Sequence, residues 1–375
     1  MPKTIRVLLL VGLIIVAIAI EVQATSSRID VLHVEGTVNP VLTDYIKRGI
    51  DQAEDNNAVA CIIQMDTPGG LEKSMLDIIE EIINAEVPVV VYVSPAGAQA
   101  ASAGVFITMS AHVAAMAPAT NIGAATPVAI STEGEAKMSE AMEKKIINIA
   151  ATKAKTIAEL QGRNADWAER AVREGIAATE QEALKLNVID MVAPDLNSLI
   201  LQLDGRQVNM LNGSVVTLHT KDVTINHVRM NTIEDFLYTI ADPNIAYILL
   251  SLAMLGLLVE ISHPGLIFPG IVGGICLLLA FYTLDILDAD YVGILLIVLA
   301  FGLFIAEVFT TTFGLFTAGG ITSLVIGSLI LFSGRSPLFR IDPWLIVTVT
   351  ICISAFLAFV VNRVIRAHRR QAYTG

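Results

Sequence analysis

The chain has 375 residues, of which 54% are hydrophobic and 16% charged, and its mean hydropathy is +0.67. These values exclude an ordinary soluble protein, so part of the chain must lie in lipid. The net charge of −12 comes mostly from acidic residues ahead of position 240, and no stretch resembles a basic phosphate-binding face, so we expect no nucleic-acid partner.

The first 24 residues have the pattern of a secretory signal peptide. Lys3 and Arg6 precede an apolar run over residues 7–20, and small residues end the segment at Ala24. An uncleaved N-terminal anchor is the alternative. In both cases the domain that follows is exported, so we expect it on the extracytoplasmic side of the cell membrane.

Residues 25–205 are predicted to form an α/β domain. Its apolar runs, which are typical of buried strands, cover residues 29–34, 58–65 and 87–93. Asn39 followed by Pro40 predicts the start of a helix, and residues 71–85 have the pattern of an amphipathic helix. Continuous apolar strands separated by helices indicate a parallel sheet that is covered on both faces.

Two turns of small residues follow the second and third of these strands. The turn over residues 66–70 (Asp-Thr-Pro-Gly-Gly) and the turn over residues 95–104 each open a helix, and Ser102 lies in the second. Ligands bind at the carboxyl ends of strands in open α/β sheets, so both turns fall where a site is expected. From position alone Ser102 is favoured as a helix cap. If it is a nucleophile, the N–H groups of Gly70 and Ala103 can receive the oxyanion.

A nucleophilic serine also needs a base, and the histidines are poorly placed for that role. His33 lies on the first strand and His112 comes soon after Ser102, but no His-Asp arrangement is evident. Lysines lie near the start of a helix predicted over residues 139–160. Helical spacing puts Lys145 on a largely apolar face, which would desolvate its amine as a general-base lysine requires, and puts Lys144 on a solvated face.

Residues 206–242 are predicted to connect the α/β domain to the membrane. Alternating polar and apolar residues flank Asn212 and Gly213, which is a strong signal for a β-hairpin. Residues 232–240 have the pattern of a short amphipathic helix, which we expect at the bilayer surface before the first membrane span.

Residues 243–362 are predicted to form an all-α domain of about five membrane spans. The apolar runs cover approximately residues 244–261, 265–284, 291–308, 313–332 and 343–361. An odd number of spans after an exported domain puts the arginine-rich tail, residues 363–375, in the cytoplasm, where basic flanks are enriched. Cys61, Cys276 and Cys352 lie in apolar runs without metal-ligand spacing, so we expect neither a metal nor a cofactor.

These features together resemble the NfeD-type membrane-bound serine proteases, a stomatin-associated group with the ClpP-like, crotonase-related fold. The matching stretches are residues 66–70, 100–104, 116–124, 162–164 and 182–190, with Lys145 on the helix ahead of the fourth. The likeness continues through the multi-span anchor and so covers nearly the whole chain. A Gly-Gly pair alone is a weak signal, whereas this ordered set is a strong one.

The resemblance implies a Ser-Lys catalytic dyad in which Ser102 is the nucleophile and Lys145 the base. It implies an oxyanion hole formed by Gly69, Gly70 and Ala103. It also implies a preference for apolar substrate segments, including the hydrophobic C-terminal part of a stomatin-like protein, and apolar residues near the site that would suit such a substrate are Val105, Ile122 and Val128. Because ClpP-like relatives assemble, we expect a homo-oligomer, either a dimer or a larger ring.

Long members of this family continue after the last span into a small OB-type barrel, which is missing here because the sequence stops at Gly375. The expected function is that of a membrane-bound endopeptidase that cleaves apolar segments of membrane-associated proteins such as stomatin-like partners. One alternative is a catalytically silent scaffold that binds a stomatin-like protein. Another is a crotonase-fold enzyme acting on a thioester, which export disfavours because coenzyme A is cytoplasmic.

Overall fold

The computed structural model describes residues 27–127, 139–262, 265–287, 289–310, 314–332 and 339–369. The predicted signal peptide lies outside these residues. The described part of the chain consists of an α/β domain and a bundle of apolar helices, which confirms the predicted combination of an α/β domain with an all-α membrane domain.

A six-stranded parallel sheet is the centre of the α/β domain. It contains β1 (Arg28–Glu35), β2 (Ala60–Asp66), β3 (Val89–Val93), β5 (Val113–Met116), β8 (Met191–Val192) and β11 (Thr224–Val228). Their spatial order is β11-β1-β2-β3-β5-β8, and every neighbouring pair is parallel. The central β3 is buried along its whole length, as its run of β-branched and aromatic residues predicts.

Helices cover both faces of this sheet. They are α1 (Pro40–Asp55), α2 (Glu72–Asn84), α3 (Ala103–Ser110), α4 (Glu140–Leu160), α5 (Ala165–Arg173), α6 (Glu180–Lys185) and α7 (Leu196–Leu203). The predicted start of α1 is confirmed, because the Asn39 side chain accepts a hydrogen bond from Leu42 N and Pro40 occupies the first turn. Two apolar clusters, one on each face of the sheet, form the core.

Two smaller sheets complete the domain. β4 (Gln99–Ala100), β6 (Asn121–Gly123) and β7 (Ala177–Thr179) form one, and β9 (Gln207–Asn209) and β10 (Val215–Thr217) form the predicted antiparallel hairpin. From the sequence, this hairpin was expected to belong to a connector over residues 206–242, outside the α/β domain. The structure differs, because the last strand of that stretch, β11, joins the main sheet beside β1. Edge pairing across such a sequence distance leaves no local pattern in the sequence.

The chain then enters the membrane through α8 (Thr232–Ile240). Five long apolar helices follow: α9 (Pro243–Ser262), α10 (Phe268–Ile286), α11 (Tyr291–Phe309), α12 (Leu315–Ile330) and α13 (Pro343–Arg369). Among the described residues, α9 and α10 are long and apolar enough to cross a bilayer by themselves, and α11 to α13 contain shorter apolar stretches. Glycines allow close helix packing in the first hairpin, where a Cβ on Gly256 would lie 2.6 Å from the carbonyl oxygen of Pro269.

Specific contacts join the α/β domain to α8, and one residue of the domain contacts the membrane helices directly. The Tyr238 hydroxyl of α8 donates to the Glu35 carbonyl at the end of β1, at 2.8 Å. Glu234 of α8 pairs with Arg48 of α1 at 2.6 Å. In addition, Leu71 immediately precedes α2, and its side chain packs against the apolar cluster of the membrane helices.

Candidate active site

Ser102 lies between β4 and α3, at the carboxyl edge of the main sheet, and is half-buried. Its backbone has φ 51° and ψ −112°, a conformation that non-glycine residues rarely adopt. The side chain makes no hydrogen bond that caps α3, so the helix-cap interpretation is wrong. A strained residue at a strand-to-helix turn, with a hydroxyl not used for capping, has the geometry of a presented nucleophile.

Two backbone N–H groups beside Ser102 have no acceptor within the described part of the chain. Ala103 N opens α3, where the first N–H groups of a helix lack intrahelical partners. Gly70 N lies in the neighbouring turn, in which Val38 N donates to Gly69 O and Leu71 N donates to Val38 O. Free N–H groups on both sides of a serine are what an oxyanion hole requires.

Gly69 has a different role from the one predicted. Its N–H donates to the Thr67 hydroxyl at 3.1 Å, so it is not free to bind an oxyanion. Instead, the absence of a side chain at Gly69 makes room for Ser102, since a Cβ on Gly69 would lie 2.6 Å from the Ser102 Cβ. Gly69 also has φ 121°, which favours glycine.

Hydrogen bonds connect the two active-site turns. Thr67 N donates to Gln99 O at 2.8 Å, and Ala101 N donates to Thr67 O at 3.0 Å. Gln99 N donates to the Asp66 carboxylate at 3.0 Å. Sequence reasoning did not single out Thr67, although the threonine in the turn Asp-Thr-Pro-Gly-Gly was a visible signal, because side chains of threonine often bond to nearby backbone groups in turns.

Lys145 lies in the N-terminal half of α4, and its side chain is exposed, as is that of Lys144. Only the C-terminal half of this helix is packed into the domain, through Ala151, Ala154, Ile157 and Ala158. The prediction that apolar neighbours desolvate Lys145 is therefore wrong for the single chain, in which Met142 and Ile149 are themselves 48% and 52% exposed. Within the described residues no hydrogen bond joins Ser102 to Lys145.

Among the residues that the structure describes, no hydrogen bond joins a histidine to Ser102. His33 Nε2 is 3.2 Å from His227 Nδ1 at the outer edge of the main sheet, and partial burial, His227 and Arg229 lower the pKa of His33. His112 Nδ1 accepts from Val89 N at 3.1 Å, and burial together with the nearby Arg163 lowers the pKa of His112 to about 4. Among the residues that the structure describes, no group of three or more His, Cys, Asp or Glu side chains is placed to hold a metal.

The structure places two of the three predicted substrate-binding residues in the core. Val105 of α3 is 1% exposed and Ile122 of β6 is fully buried, so neither offers surface to a substrate. Both residues belong to the same apolar core cluster of the α/β domain. The prediction of a substrate contact is corrected for these two residues, and Val128 lies outside the described residues.

Two family models match this chain and together cover most of it. The model described as the NfeD1b N-terminal domain matches residues 28–227, and the model described as the NfeD integral membrane domain matches residues 244–363. The chain is also 38% identical to the membrane-bound protease PH1510 of Pyrococcus horikoshii over 352 residues, which is 92% of this chain and 79% of that protein.

Solved structures similar to the α/β domain belong to the 1510-N membrane-bound stomatin-specific protease. Its serine-to-alanine mutant is 36% identical, with a TM-score of 0.52, and the match covers 55% of this chain and 99% of that chain. Its lysine-to-alanine mutant, in complex with a substrate peptide, is 35% identical with a TM-score of 0.53, and the match covers 57% of this chain and 98% of that chain. The choice of these two mutants indicates a Ser-Lys dyad in that protease.

Proposed function

The chain belongs to the NfeD family of membrane-bound serine proteases, which use a Ser-Lys dyad, and we propose that Ser102 and Lys145 form that dyad here. The observation that carries the proposal is the geometry at Ser102. Its backbone is strained, its hydroxyl does not cap α3, and the N–H groups of Gly70 and Ala103 are free on either side within the described structure.

These groups account for peptide-bond hydrolysis. The Ser102 Oγ attacks the carbonyl carbon of the scissile bond while the Lys145 amine takes the hydroxyl proton. The oxyanion that forms on the carbonyl oxygen accepts hydrogen bonds from Gly70 N and Ala103 N. The C–N bond then breaks, the proton passes from Lys145 to the leaving amine, and water hydrolyses the remaining ester by the same steps.

Lys145 must lose contact with water before it can act as a base, because solvent stabilises the charged ammonium. The exposed apolar side chains of Met142 and Ile149 on the same half of α4 provide a surface that another polypeptide can cover. We infer that a second copy of the chain or the substrate itself covers this surface. If a second copy covers it, homo-oligomerisation completes the site.

The proposed substrates are apolar segments of membrane-associated proteins, with a stomatin-like protein as the partner. The solved relatives support the stomatin-like partner, because they are structures of a stomatin-specific protease. The proposed location of the α/β domain is the extracytoplasmic side of the membrane, as a signal peptide and an odd number of spans predict.

The test uses the full chain reconstituted in vesicles with an apolar fluorogenic peptide. Ser102→Ala and Lys145→Ala are each expected to lower kcat/KM by about 10⁴-fold or more, because removal of either member disables the pair. Lys144→Ala is the matched control, since this lysine is adjacent and also exposed to solvent, and it is expected to retain activity within about threefold.

Two results would contradict this assignment. If Lys144→Ala is inactive and Lys145→Ala is active, the base is the neighbouring lysine. If the parent chain binds a stomatin-like partner yet cleaves neither it nor the peptide, the protein is a scaffold, which is the alternative favoured by the exposure of Lys145 in the single chain.

A further inference from the structure

We propose that the membrane domain forms one wall of the active site, so that the enzyme acts on polypeptide segments held at the bilayer surface. This inference deepens the proposed function and rests on it, because it takes Ser102 as the nucleophile. It commits to one kind of substrate: a segment that is still attached to the membrane when it is cleaved.

Leu71 provides the direct contact. It follows Gly70, the proposed oxyanion donor, and its own N–H donates to the Val38 carbonyl at 2.9 Å. Its side chain is partly buried against the apolar cluster of the membrane helices rather than against the core of the α/β domain. The residue next to the oxyanion hole therefore touches the membrane domain.

The sheet topology explains why this edge faces the membrane. β11 runs parallel to β1 and ends at Val228, so the chain leaves the sheet at the carboxyl edge, where Ser102 also lies. α8 begins at Thr232, and the first span begins at Pro243. An antiparallel last strand would have delivered the chain to the opposite edge and turned the active site away from the bilayer.

α8 is held firmly against the active-site edge. The Tyr238 hydroxyl bonds to the Glu35 carbonyl at 2.8 Å, and a Cβ on Gly36 would lie 2.6 Å from that hydroxyl, so the contact requires glycine. Arg48 makes two hydrogen bonds to the Glu234 carboxylate, at 2.6 and 2.7 Å. Such a bidentate pair fixes geometry as well as adding stability.

The outer face of α8 suits a lipid interface. Its apolar side chains Ile233 and Phe236 are 71% and 50% exposed. α8 ends at Ile240, just before the first span. A short helix with exposed apolar side chains next to a membrane span lies in the interfacial plane of the bilayer. With α8 in that plane and clamped to β1, the active-site edge lies close to the bilayer.

The experiment measures how close to the bilayer the enzyme cuts. The parent chain is reconstituted in vesicles of phosphatidylcholine and phosphatidylglycerol, together with substrates that carry the same apolar cleavage segment on a transmembrane anchor. A hydrophilic spacer of about 5 or about 30 residues separates the segment from the anchor, and an extended spacer spans at most about 3.5 Å per residue. A soluble peptide with the same segment is the reference.

We expect the substrate with the short spacer to be cleaved at least as fast as the one with the long spacer. Cleavage of the long-spacer substrate with none of the short one would overturn the inference, because it would place Ser102 far from the bilayer. The proposed function would stand in that case. If the parent cleaves none of the three substrates, the proposed function itself fails.

Leu71→Asn tests the wall directly, and Leu76→Asn is the matched control. Leu76 is also a partly buried leucine near the start of α2, but it packs against the core of the α/β domain. We expect Leu71→Asn to lower the ratio of tethered to soluble cleavage by about tenfold, since a small displacement of a substrate-positioning surface has effects of that order or larger. Leu76→Asn is expected to leave the ratio unchanged even if it lowers stability. Equal ratios in the two variants would refute a role for the membrane contact.

Discussion

Replacing Gly69 by alanine is a sharp test of the proposed nucleophile. A Cβ at this position would lie 2.6 Å from the Ser102 Cβ and 3.1 Å from its Oγ, whereas ordinary contacts begin at 3.4 Å. Ser102 would therefore have to move by nearly 1 Å. A misplacement of about 1 Å at a reacting group costs about 10²-fold in rate, which is about 2.7 kcal/mol of barrier.

The backbone contributes a second cost, which must be separated from the first. Gly69 has φ 121°, and a residue with a side chain in such a region costs about 1–3 kcal/mol of stability. Gly97 supplies the matched control, because it has φ 93° in the turn that leads to Ser102 but no atom lies within 4 Å of its would-be Cβ. Gly97→Ala should therefore lose stability without displacing Ser102.

The assay compares kcat and the thermal midpoint for both variants of the full chain in vesicles. We expect both to lower the midpoint, Gly69→Ala by at least as much as Gly97→Ala, and only Gly69→Ala to lower kcat by about 10²-fold. The reasoning is refuted if the two variants lose activity equally, since the loss would then come from backbone strain and not from the contact with Ser102.

Three further predictions concern stability and are checked by thermal unfolding in detergent. The pKa of His112 is lowered to about 4, so this side chain binds a proton more readily in the unfolded chain. Its contribution to the free energy of unfolding is complete above pH 6.5, and about 3 kcal/mol is lost as the pH falls towards 4. His112→Gln should remove this loss of stability in acid, whereas His219→Gln, at an exposed position, should not. Thr67→Val should cost about 1–3 kcal/mol because it leaves the Gly69 N–H unpaired, while Thr67→Ser should be close to the parent. Arg163→Met should lower the free energy of unfolding by about 3–5 kcal/mol, because it breaks the ion pair between the buried Arg163 guanidinium and the Asp190 carboxylate. A loss below about 1 kcal/mol would contradict that view.

The sequence predicted the α/β domain, the turn containing Gly70 and the position of Ser102 at the start of a helix, because each depends on local residues. Apolar strands, glycine pairs and helix starts have short-range patterns. The proposed role of Ser102 as nucleophile could not be read from the local residues, since a serine at a helix start is usually a cap. Only the structure shows that Ser102 has an unusual φ and that its hydroxyl does not cap α3.

Features that depend on distant segments were predicted poorly. Residues 224–228 were assigned to the connector because nothing near them indicates that they pair, as β11, with a strand almost 200 residues earlier. The prediction that Lys145 lies in an apolar environment was wrong for a related reason. Helical periodicity identifies an apolar face, but it does not say whether the same chain covers that face. The contact of Leu71 with the membrane helices likewise had no signal in the sequence.

The pairing of β1 with β11 has a consequence for the biogenesis of the protein. β1 emerges early during synthesis, yet its outer edge stays unpaired until the chain has been made through Val228. Contacts of such long sequence separation form late, and an open strand edge is prone to aggregate in the meantime. Because the first membrane span follows soon after β11, the α/β domain is completed at about the time the anchor inserts into the bilayer. The order of synthesis thus limits the interval in which a folded, active protease exists free of the membrane.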